Sequence, residues 1–536
     1  MASLIRISTP GEHPAGEINE STSVAEVLKR CPTARRVFDR YGLKGCGAEH
    51  GPTEPLSFFA AVHQVDLQAL LRELRAEAEN PSPEQYVYRE SLADYIYRRF
   101  FKAGIAITLT VGALWGAINL LEIALDKNLL QLRLVPSIHA HAHAMIFGWV
   151  GLFVMGFAYQ SFPRFKFTTL WRPDLANLTF VLMLAGIAAR IGAELLQPAP
   201  LGLGLGILSA AVELAAISLF VLIILRTARQ SMEPGNPYER FLLSAFFWFL
   251  VQAIFSGVFF FAKATAASQE QLVHRIALLD APLRDMQLFG FAALIIAEVS
   301  QRFVPVVYGL SRPKHDRQKL IFALMNASLI LDVMSYIALL SSGNPYFVAG
   351  VEISYVLMVV WAVLLVRQLG VFSAPARRDR SWKFIRAAYA WLLFSMAMMP
   401  FFMVYGALTH QVFSHAYWGA HRHAFTVGFV SLMIVGVASR VVPILVGADS
   451  GRVGSLWGPF ILLNVGCAAR VFFQILTDFV PNLAYPLIGA SGFVEFTALA
   501  WWGIGLWRIM DLAKTRRDSL LTGRLRWWQG NPTSFS

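Results

Sequence analysis

The sequence predicts an all-α polytopic membrane protein with twelve transmembrane helices, arranged as three four-helix repeats, plus a small N-terminal helical domain. Composition is the first reason: of the 536 residues, 56% are hydrophobic and only 15% are charged, which is typical of polytopic membrane proteins. The second reason is that apolar runs long enough to cross a bilayer recur from Phe101 onward. The third is a spacing pattern that recurs with a period of roughly 140 residues.

The repeat is visible in the glycines and prolines of three apolar segments. Gly148, Gly290 and Gly428 are each followed, fifteen residues later, by a proline. Intramembrane charges recur at a second fixed offset, forty-two residues after the glycines, and these charged residues are Arg190, Asp332 and Arg470. Because both spacings, glycine to proline and glycine to charged residue, are the same in all three segments, we predict an internal threefold repeat.

The apolar runs set the predicted boundaries. We place the spans near 102–124, 137–161, 174–196, 203–226, 240–262, 284–308, 318–340, 346–367, 384–408, 421–446, 456–478 and 484–508. The predicted domains are a flexible tail over 1–20, a small soluble helical domain over 21–80, a linker over 81–100, membrane repeats over 101–230, 231–375 and 376–512, and a cytoplasmic tail over 513–536.

Positive charge is concentrated in the loops that follow the even-numbered spans. The loop after the second span contains Arg164, Lys166 and Arg172, whereas the loop over 341–346 contains neither lysine nor arginine. Cationic loops stay cytoplasmic, so we expect both termini in the cytoplasm and the starts of spans two, six and ten near the outer face. The net charge of +12 is explained by such loops, which indicates membrane lipid as a partner and no nucleic acid.

Five histidines lie at the starts of two repeat-equivalent spans. His139, His141 and His143 open the second span, and His421 and His423 open the tenth. Histidine inside a membrane is costly and usually marks a ligand, a relay or a buried partner. We therefore predict that these five histidines are metal ligands. The alternative is that nearby carbonyl groups or interfacial water satisfy them by hydrogen bonding.

The two-residue spacing of the histidines predicts two centres. Residues two apart on a helix point to nearly opposite sides, so His421 and His423 cannot easily share one metal. His143 and His423 occupy equivalent positions and are the first candidates for a bis-histidine haem site. His421 is then expected to hold a second haem, or a copper ion, with His141 or His139. Imidazole suits iron and copper equally, so both metals stay open.

The middle repeat has acids at two positions where the other repeats have histidine or glycine. Asp285 stands at the position of His143 and His423, and we predict that it is a weaker metal ligand or a hydrogen-bond partner of one. Glu298 lies in the middle of the sixth span, where the other two repeats have glycine. It is the best single candidate for a proton or ligand pathway.

Two intramembrane arginines have two interpretations. Arg190 and Arg470 each precede a span that carries a glutamate, Glu213 or Glu495. One interpretation is an ion pair between neighbouring helices, because membrane charges are normally paired. The other is that Arg190 or Arg470 binds a haem propionate through both arms of its guanidinium group.

The N-terminal region contains SVAEVLKRCPTARRVFDRYGLKGCG followed by PLSFFAAVHQVDLQALLREL. These segments resemble the ScdA-type N-terminal domain of di-iron iron–sulfur-repair proteins, although that family has an adjacent cysteine pair where this chain reads KGCG. Cys46, His50 and His63 form a candidate redox or metal-sensing cluster. The alternative is a lone loop cysteine on a docking module, which we favour because a tight structural metal site needs four ligands.

The histidine segments HAHAMIFGWVGLFVMGFAYQSFPRF and HRHAFTVGFVSLMIVGVASR resemble the NnrS family of membrane haem- and copper-binding proteins. The resemblance implies haem, with copper as a second cofactor, in the bacterial inner membrane. It also implies a role in nitric oxide metabolism, as in denitrification, or in tolerance of nitrosative stress. One departure is VVPILVG after the third-repeat arginine, where the family tends to carry a glycine–histidine turn.

The architecture is also similar to that of haem–copper oxidases and nitric oxide reductases, which have twelve spans in three groups of four. In that resemblance His143, His421 and His423 take the haem-ligand positions. The copper-binding histidines of that superfamily, on spans six and seven, have no counterpart here.

Three functions stay open. The first is a redox protein, an oxidoreductase acting on nitric oxide or oxygen, with a gaseous ligand and an electron donor. The second is a sensor or assembly scaffold that binds haem without turnover. The third is a secondary transporter, whose repeats and intramembrane charges serve substrate binding. The repeats keep one orientation and the histidines cluster at one depth, which argues against the transporter.

Overall fold

The described residues of the computed structural model include twelve helices long and apolar enough to cross a membrane. The structure describes residues 18–47, 50–82, 91–129, 131–232, 235, 237–448 and 454–522, with side chains described as far as Leu512. The named elements of this part are all helices, which confirms the predicted all-α class and the number of spans. The spans are Leu92–Asp126, Leu132–Phe165, Pro173–Leu195, Pro200–Arg229, Glu239–Ala264, Gln269–Tyr308, His315–Ser342, Tyr346–Leu369, Trp382–Thr409, His415–Leu445, Trp457–Leu476 and Pro481–Leu512.

The second, sixth and tenth spans form the centre of the bundle. In the most apolar 18-residue stretch of each, 67–78% of the residues are buried, compared with 33–50% in the other nine spans. Those nine surround the centre as a ring in the order one, three, four, five, seven, eight, nine, eleven and twelve, and span twelve packs against span one. Three helices inside a ring of nine is the arrangement that three four-helix repeats would form.

Each central span is interrupted by an eight-residue π-helical segment. The three segments are Ala144–Gly151, Met286–Ala293 and Ala424–Ser431. Each contains one of the repeat glycines, and each begins directly after the position of His143, Asp285 or His423. π-Helical turns are rare and occur frequently at functional sites. Their recurrence at one offset supports the predicted repeat.

The repeat glycine of each π segment leaves space for a side chain from the first span of the same predicted repeat. A Cβ atom on Gly428 would lie 2.5 Å from the Trp391 ring, whose Nε1 donates a 3.1 Å hydrogen bond to Oδ1 of Asn464. The equivalent contacts join Gly148 to Ile107 and Gly290 to Trp248. The glycine spacing that predicts the repeat therefore has a packing cause.

Two helix starts lie ten or more residues before the predicted boundaries. The sixth-span helix begins at Gln269, because the Ser268 side chain accepts a hydrogen bond from the Gln271 backbone amide and caps it. The first-span helix begins at Leu92, inside the predicted linker, because Ser91 and Asp94 form a capping box. Most of the predicted flexible tail lies outside the described residues. The last helix runs on to Thr522, and residues 523–536 of the predicted C-terminal tail are also outside them.

The N-terminal region contains four short α-helices: Val24–Arg30 (α1), Arg35–Arg40 (α2), Leu56–His63 (α3) and Leu67–Glu79 (α4). The turn after α2 includes Gly47, whose φ of +73° lies in the left-handed region that glycine adopts without a Cβ clash.

This N-terminal domain packs against one end of the central spans, which we call the domain side; the end with the five histidines is the histidine side. Glu54 forms a 3.1 Å ion pair with Arg440 of the tenth span. The Gly47 backbone N–H donates a 3.1 Å hydrogen bond to the Leu445 carbonyl oxygen. Helix α3 packs against the sixth span, so the domain contacts at least two of the three central helices.

The glycine packing predicts a specific destabilisation. Replacing Gly428 by leucine should displace Trp391 and lower the free energy of unfolding by about 1–3 kcal/mol, the usual effect of overpacking. Thermal unfolding in detergent would measure the change. Gly204→Leu is the matched control, because nothing lies within 4 Å of a Cβ atom at that position. Equal destabilisation by both changes would contradict the packing role of Gly428.

Candidate functional site

The five histidines lie in the α-helical turns that immediately precede two π segments. His139, His143 and His421 are buried, and His141 and His423 are partly buried. Their hydrogen-bond partners divide them into three groups with different chemical capacities.

His141 and His423 share one hydrogen-bonding arrangement. Nδ1 of His141 lies 2.9 Å from the Gly112 carbonyl oxygen, and Nδ1 of His423 lies 2.9 Å from the Gly419 carbonyl oxygen. A carbonyl oxygen only accepts, so each Nδ1 carries the proton and each Nε2 keeps its lone pair. A ring N–H held by a backbone carbonyl is a common arrangement for a metal-ligating histidine. The two imidazoles also lie close enough to interact electrostatically.

Local backbone geometry places His141. The first span has a short π segment that ends at Gly112, whose φ of −86° and ψ of −111° leave the helical region. Its carbonyl oxygen is thereby available to the imidazole. Gly116 makes room for the ring, because a Cβ atom there would lie 2.5 Å from His141.

His143 is engaged within its own repeat. Its Nε2 lies 2.7 Å from Oε1 of Glu213 on the fourth span. Glu213 is admitted by Gly186, where a Cβ atom would lie 2.4 Å from the glutamate Cγ. The predicted pairing of His143 with His423 stays a prediction; His143 lies against Glu213, whereas His423 interacts electrostatically with His141.

His139 belongs to a buried charge network. Its Nδ1 lies 2.5 Å from Nζ of Lys263, and Lys263 forms a 2.9 Å ion pair with Glu194. Because an ammonium group only donates, Nδ1 of His139 accepts this bond and is not free to hold a metal.

The network continues through Asp280, which joins all three central spans. One carboxylate oxygen lies 3.9 Å from Nε2 of His139 and 3.1 Å from Arg284, and the other lies 2.9 Å from Arg422 of the tenth span. Asp280, Arg284 and Lys263 are not among the site residues predicted from the sequence. The signal that was available is the presence of charges within or next to apolar spans, which must find partners.

His421 has no partner for either ring nitrogen in the described part of the chain. The side chain is only 2% exposed and is surrounded by aromatic rings, with Trp418 at 5.4 Å and Phe289 at 6.4 Å between centroids. Buried polar atoms are normally hydrogen-bonded, and one without a partner calls for an explanation such as a bound ion or water.

The two repeat-equivalent arginines, Arg190 and Arg470, also differ in how many of their side-chain nitrogens have a partner. The Arg190 guanidinium lies 4.7 Å from the Phe260 centroid and donates to the Ser256 carbonyl oxygen at 3.4 Å. Arg470 is buried, yet its Nε and Nη1 have no partner within the described residues. It interacts electrostatically with both His141 and His423.

Six buried polar atoms without a partner lie in spans ten to twelve at the histidine side. They are both ring nitrogens of His421, Nε and Nη1 of Arg470, Oε1 of Gln474 and Oε1 of Glu495. The equivalent arginine and glutamate in the first predicted repeat leave only Nη2 of Arg190 unsatisfied. At the histidine side, therefore, the described residues of the third predicted repeat leave more polar atoms without a partner than those of the first.

In the middle repeat the equivalent positions are acids. Asp285 lies near Asp332, which accepts a 3.1 Å bond from the Ser354 hydroxyl. Asp285, a candidate metal ligand, therefore lies near Asp332 and Arg422.

Glu298 lies on the domain side of its π segment and faces an apolar cavity between the central spans. Arg302 follows one turn later, with its guanidinium carbon 3.6 Å from the Phe165 centroid. The structure thus separates Glu298 from the histidines along the axis of the bundle.

Comparison with protein families identifies the chain. A family model described as NnrS protein matches residues 91–512, which cover all twelve spans. The chain belongs to the NnrS family. The resemblance of the two histidine segments is thereby confirmed, and this NnrS-family chain is a multi-pass membrane protein. No curated protein matches it.

The candidate cluster in the N-terminal domain is not assembled. His50 is exposed, whereas Cys46 is buried, with its thiol 3.9 Å from the Ile444 carbonyl oxygen. Burial raises the pKa of the Cys46 thiol to about 11, which keeps it from forming the reactive thiolate at neutral pH. The geometry fits the alternative of a lone cysteine on a docking module.

His63 predicts a pH dependence of docking. Burial, with Arg302 and Arg164 nearby, lowers its pKa from 6.5 to about 3, so His63 stays neutral in the docked domain. Below pH 6.5 an exposed His63 binds a proton that the docked one cannot. Docking should therefore weaken as the pH falls, by about 2 kcal/mol at pH 5.

Hydrogen–deuterium exchange over α3, corrected for the intrinsic rate, would measure this loss. His63→Leu should remove most of the pH dependence, whereas His50→Leu, the exposed control, should leave it unchanged. An unaltered pH dependence in His63→Leu would show that another group is responsible.

Proposed function

We propose that this NnrS-family chain is a membrane haem protein of nitric oxide metabolism or the nitrosative-stress response. His141 and His423 would hold the haem iron through their Nε2 atoms, and Arg470 would bind a propionate. The role in nitric oxide metabolism follows from the resemblance given above. The haem assignment is supported by the geometry of these side chains.

The unsatisfied atoms beside His423 carry the proposal. In a bound haem, the iron would accept the Nε2 lone pairs of His141 and His423, and a propionate would give the free donors of Arg470 an anionic partner. Guanidinium groups suit carboxylate recognition because their N–H donors are fixed in one plane. The Arg470 donors left unsatisfied would be costly, because a buried polar group without a hydrogen bond loses about 1–3 kcal/mol.

Haem fits this site better than copper alone. No group of three or more His, Cys, Asp or Glu side chains that could hold a metal ion occurs in the described ranges. Two imidazoles are sufficient for the axial positions of haem iron, whereas a catalytic metal site usually has three protein ligands. Copper remains the second proposed cofactor, with His421 as its candidate ligand.

The chemistry proposed for the protein is redox or ligand binding at iron. Haem iron supplies an electron-transfer centre when both axial positions are filled, and binds diatomic gases when one is open. Around it, His141 and His423 would fix the iron between spans two and ten. Glu298 is the proposed carrier of protons on the domain side, and turnover would require an electron donor.

We also propose that the domain side is cytoplasmic in the bacterial inner membrane. The loops that reach this side carry the cationic residues, including Arg164 and Lys166. Positively charged loops are retained in the cytoplasm, so the histidine side would face outward.

Single histidine variants test the assignment. Purified from cells supplied with haem, wild type should show a haem spectrum that changes on reduction with dithionite. His141→Ala and His423→Ala should each lose the low-spin bands, because they remove one ligand of the same iron. Optical spectra of the oxidised and reduced proteins, with iron and copper measured by mass spectrometry, supply the readout.

Two variants act as controls. His143→Ala should keep the low-spin bands, because Glu213 holds this imidazole, and His410→Asn alters a loop histidine at the same side. Loss of the bands in His143→Ala with retention in His141→Ala would restore the pairing that repeat equivalence suggests and overturn ours. Absence of haem from the wild-type protein would contradict the proposal that this is a haem protein.

A further inference from the structure

A cavity of ≈ 110 Å³ lies between the three central spans, on the domain side of the histidines. All three spans contribute to its wall. The residues that begin it at the histidine side are Val150, Ala292 and Val430, each inside a π segment. These positions are seven residues beyond His143, Asp285 and His423, which corresponds to about 10 Å along a helix.

The cavity wall is almost entirely apolar. Valine, isoleucine, phenylalanine and methionine side chains make up most of it, and Ser161, Ser300 and Glu298 are its polar members. Glu298 forms no ion pair or hydrogen bond with the described residues. An apolar cavity does not hold water well, and engineered cavities of about 150 Å³ lined by such side chains stay dry and bind benzene or xenon.

The domain-side end of the cavity is covered by the N-terminal domain. Below Glu298 a second cavity of ≈ 30 Å³ is lined by Val62 of α3 together with Phe165, Arg302 and Phe303. The Arg302 guanidinium lies over the Phe165 ring. These groups lie between the larger cavity and the N-terminal domain, and we expect a guest to enter from the bilayer or the histidine side.

We infer that this cavity is a binding site for a small uncharged gas of diatomic size, held on the axis of the central spans. Apart from Glu298, its lining disfavours ions, because an unpaired charge in apolar surroundings loses its hydration without compensation. Its volume exceeds the ≈ 30 Å³ that one water molecule occupies in the liquid, so it is large enough for a diatomic molecule. The histidine-side end of this cavity lies seven residues, about two helical turns, from the histidine positions, and its domain-side end lies farther away. The identification of the gas as nitric oxide rests on the proposed function. The capacity of the cavity for an apolar guest rests on its lining and volume alone.

Xenon is the probe that tests the cavity directly. Exchange-transfer ¹²⁹Xe NMR on the full chain in lipid nanodiscs should show a saturable protein-bound signal. Val437→Trp, which places an indole in the cavity wall, should abolish that signal. Ile434→Phe fills the same wall with a smaller change, and should weaken it even if the tryptophan variant folds poorly. Val465→Trp is the matched control, because Val465 is 55% exposed on the outside of the bundle.

Retention of the xenon signal in both filled variants would overturn the inference, as would its loss in Val465→Trp. The haem spectrum of the same samples separates the two proposals. A xenon signal in a protein without haem would support the gas-binding cavity and contradict the proposed haem function. Haem in a protein without a xenon signal would support the haem function and contradict the gas-binding cavity. An unchanged haem spectrum in Ile434→Phe would show that its loss of xenon is local.

Discussion

Charges inside a membrane protein must be paired within the protein. At the centre of this bundle, some buried charged and polar side chains have such partners and others do not. In the first repeat, Lys263 of the neighbouring span pairs with Glu194, and His143 with Glu213. Asp280 then ties the three central spans together at their histidine side. In spans ten to twelve, by contrast, both ring nitrogens of His421 and atoms of Arg470 and Glu495 have no partner among the described residues. We attribute this difference to a bound group beside these spans.

The π segments connect this electrostatic pattern to the packing. They are placed where a glycine lets the first span of each repeat approach its central helix. Each segment begins directly after the position that holds His143, Asp285 or His423. The irregular backbone also supplies the Gly112 carbonyl that fixes the tautomer of His141. Backbone groups freed from helical hydrogen bonds are tolerated at membrane depth only when the protein satisfies them, and here a histidine does so.

The number and position of the spans were predictable because apolar length and glycine spacing are properties of the chain itself. The partners of the individual histidines were not. His143 lies against Glu213 of the fourth span, whereas His139 lies against Lys263 of the fifth. Which spans are neighbours is set by tertiary packing, which no local spacing in the sequence reveals. Glu298 was singled out correctly as a lone central acid, but the cavity around it depends on three helices far apart in the chain.

The central claim is that a haem lies between His141 and His423 beside Arg470. An electron cryo-microscopy map of the full chain, purified with its cofactors in lipid nanodiscs, tests this most directly. The account predicts planar density joined to Nε2 of both histidines, with a carboxylate reaching the Arg470 guanidinium. Density that shows only the two imidazoles, with Arg470 bonded to Glu495 and no intervening group, would contradict it.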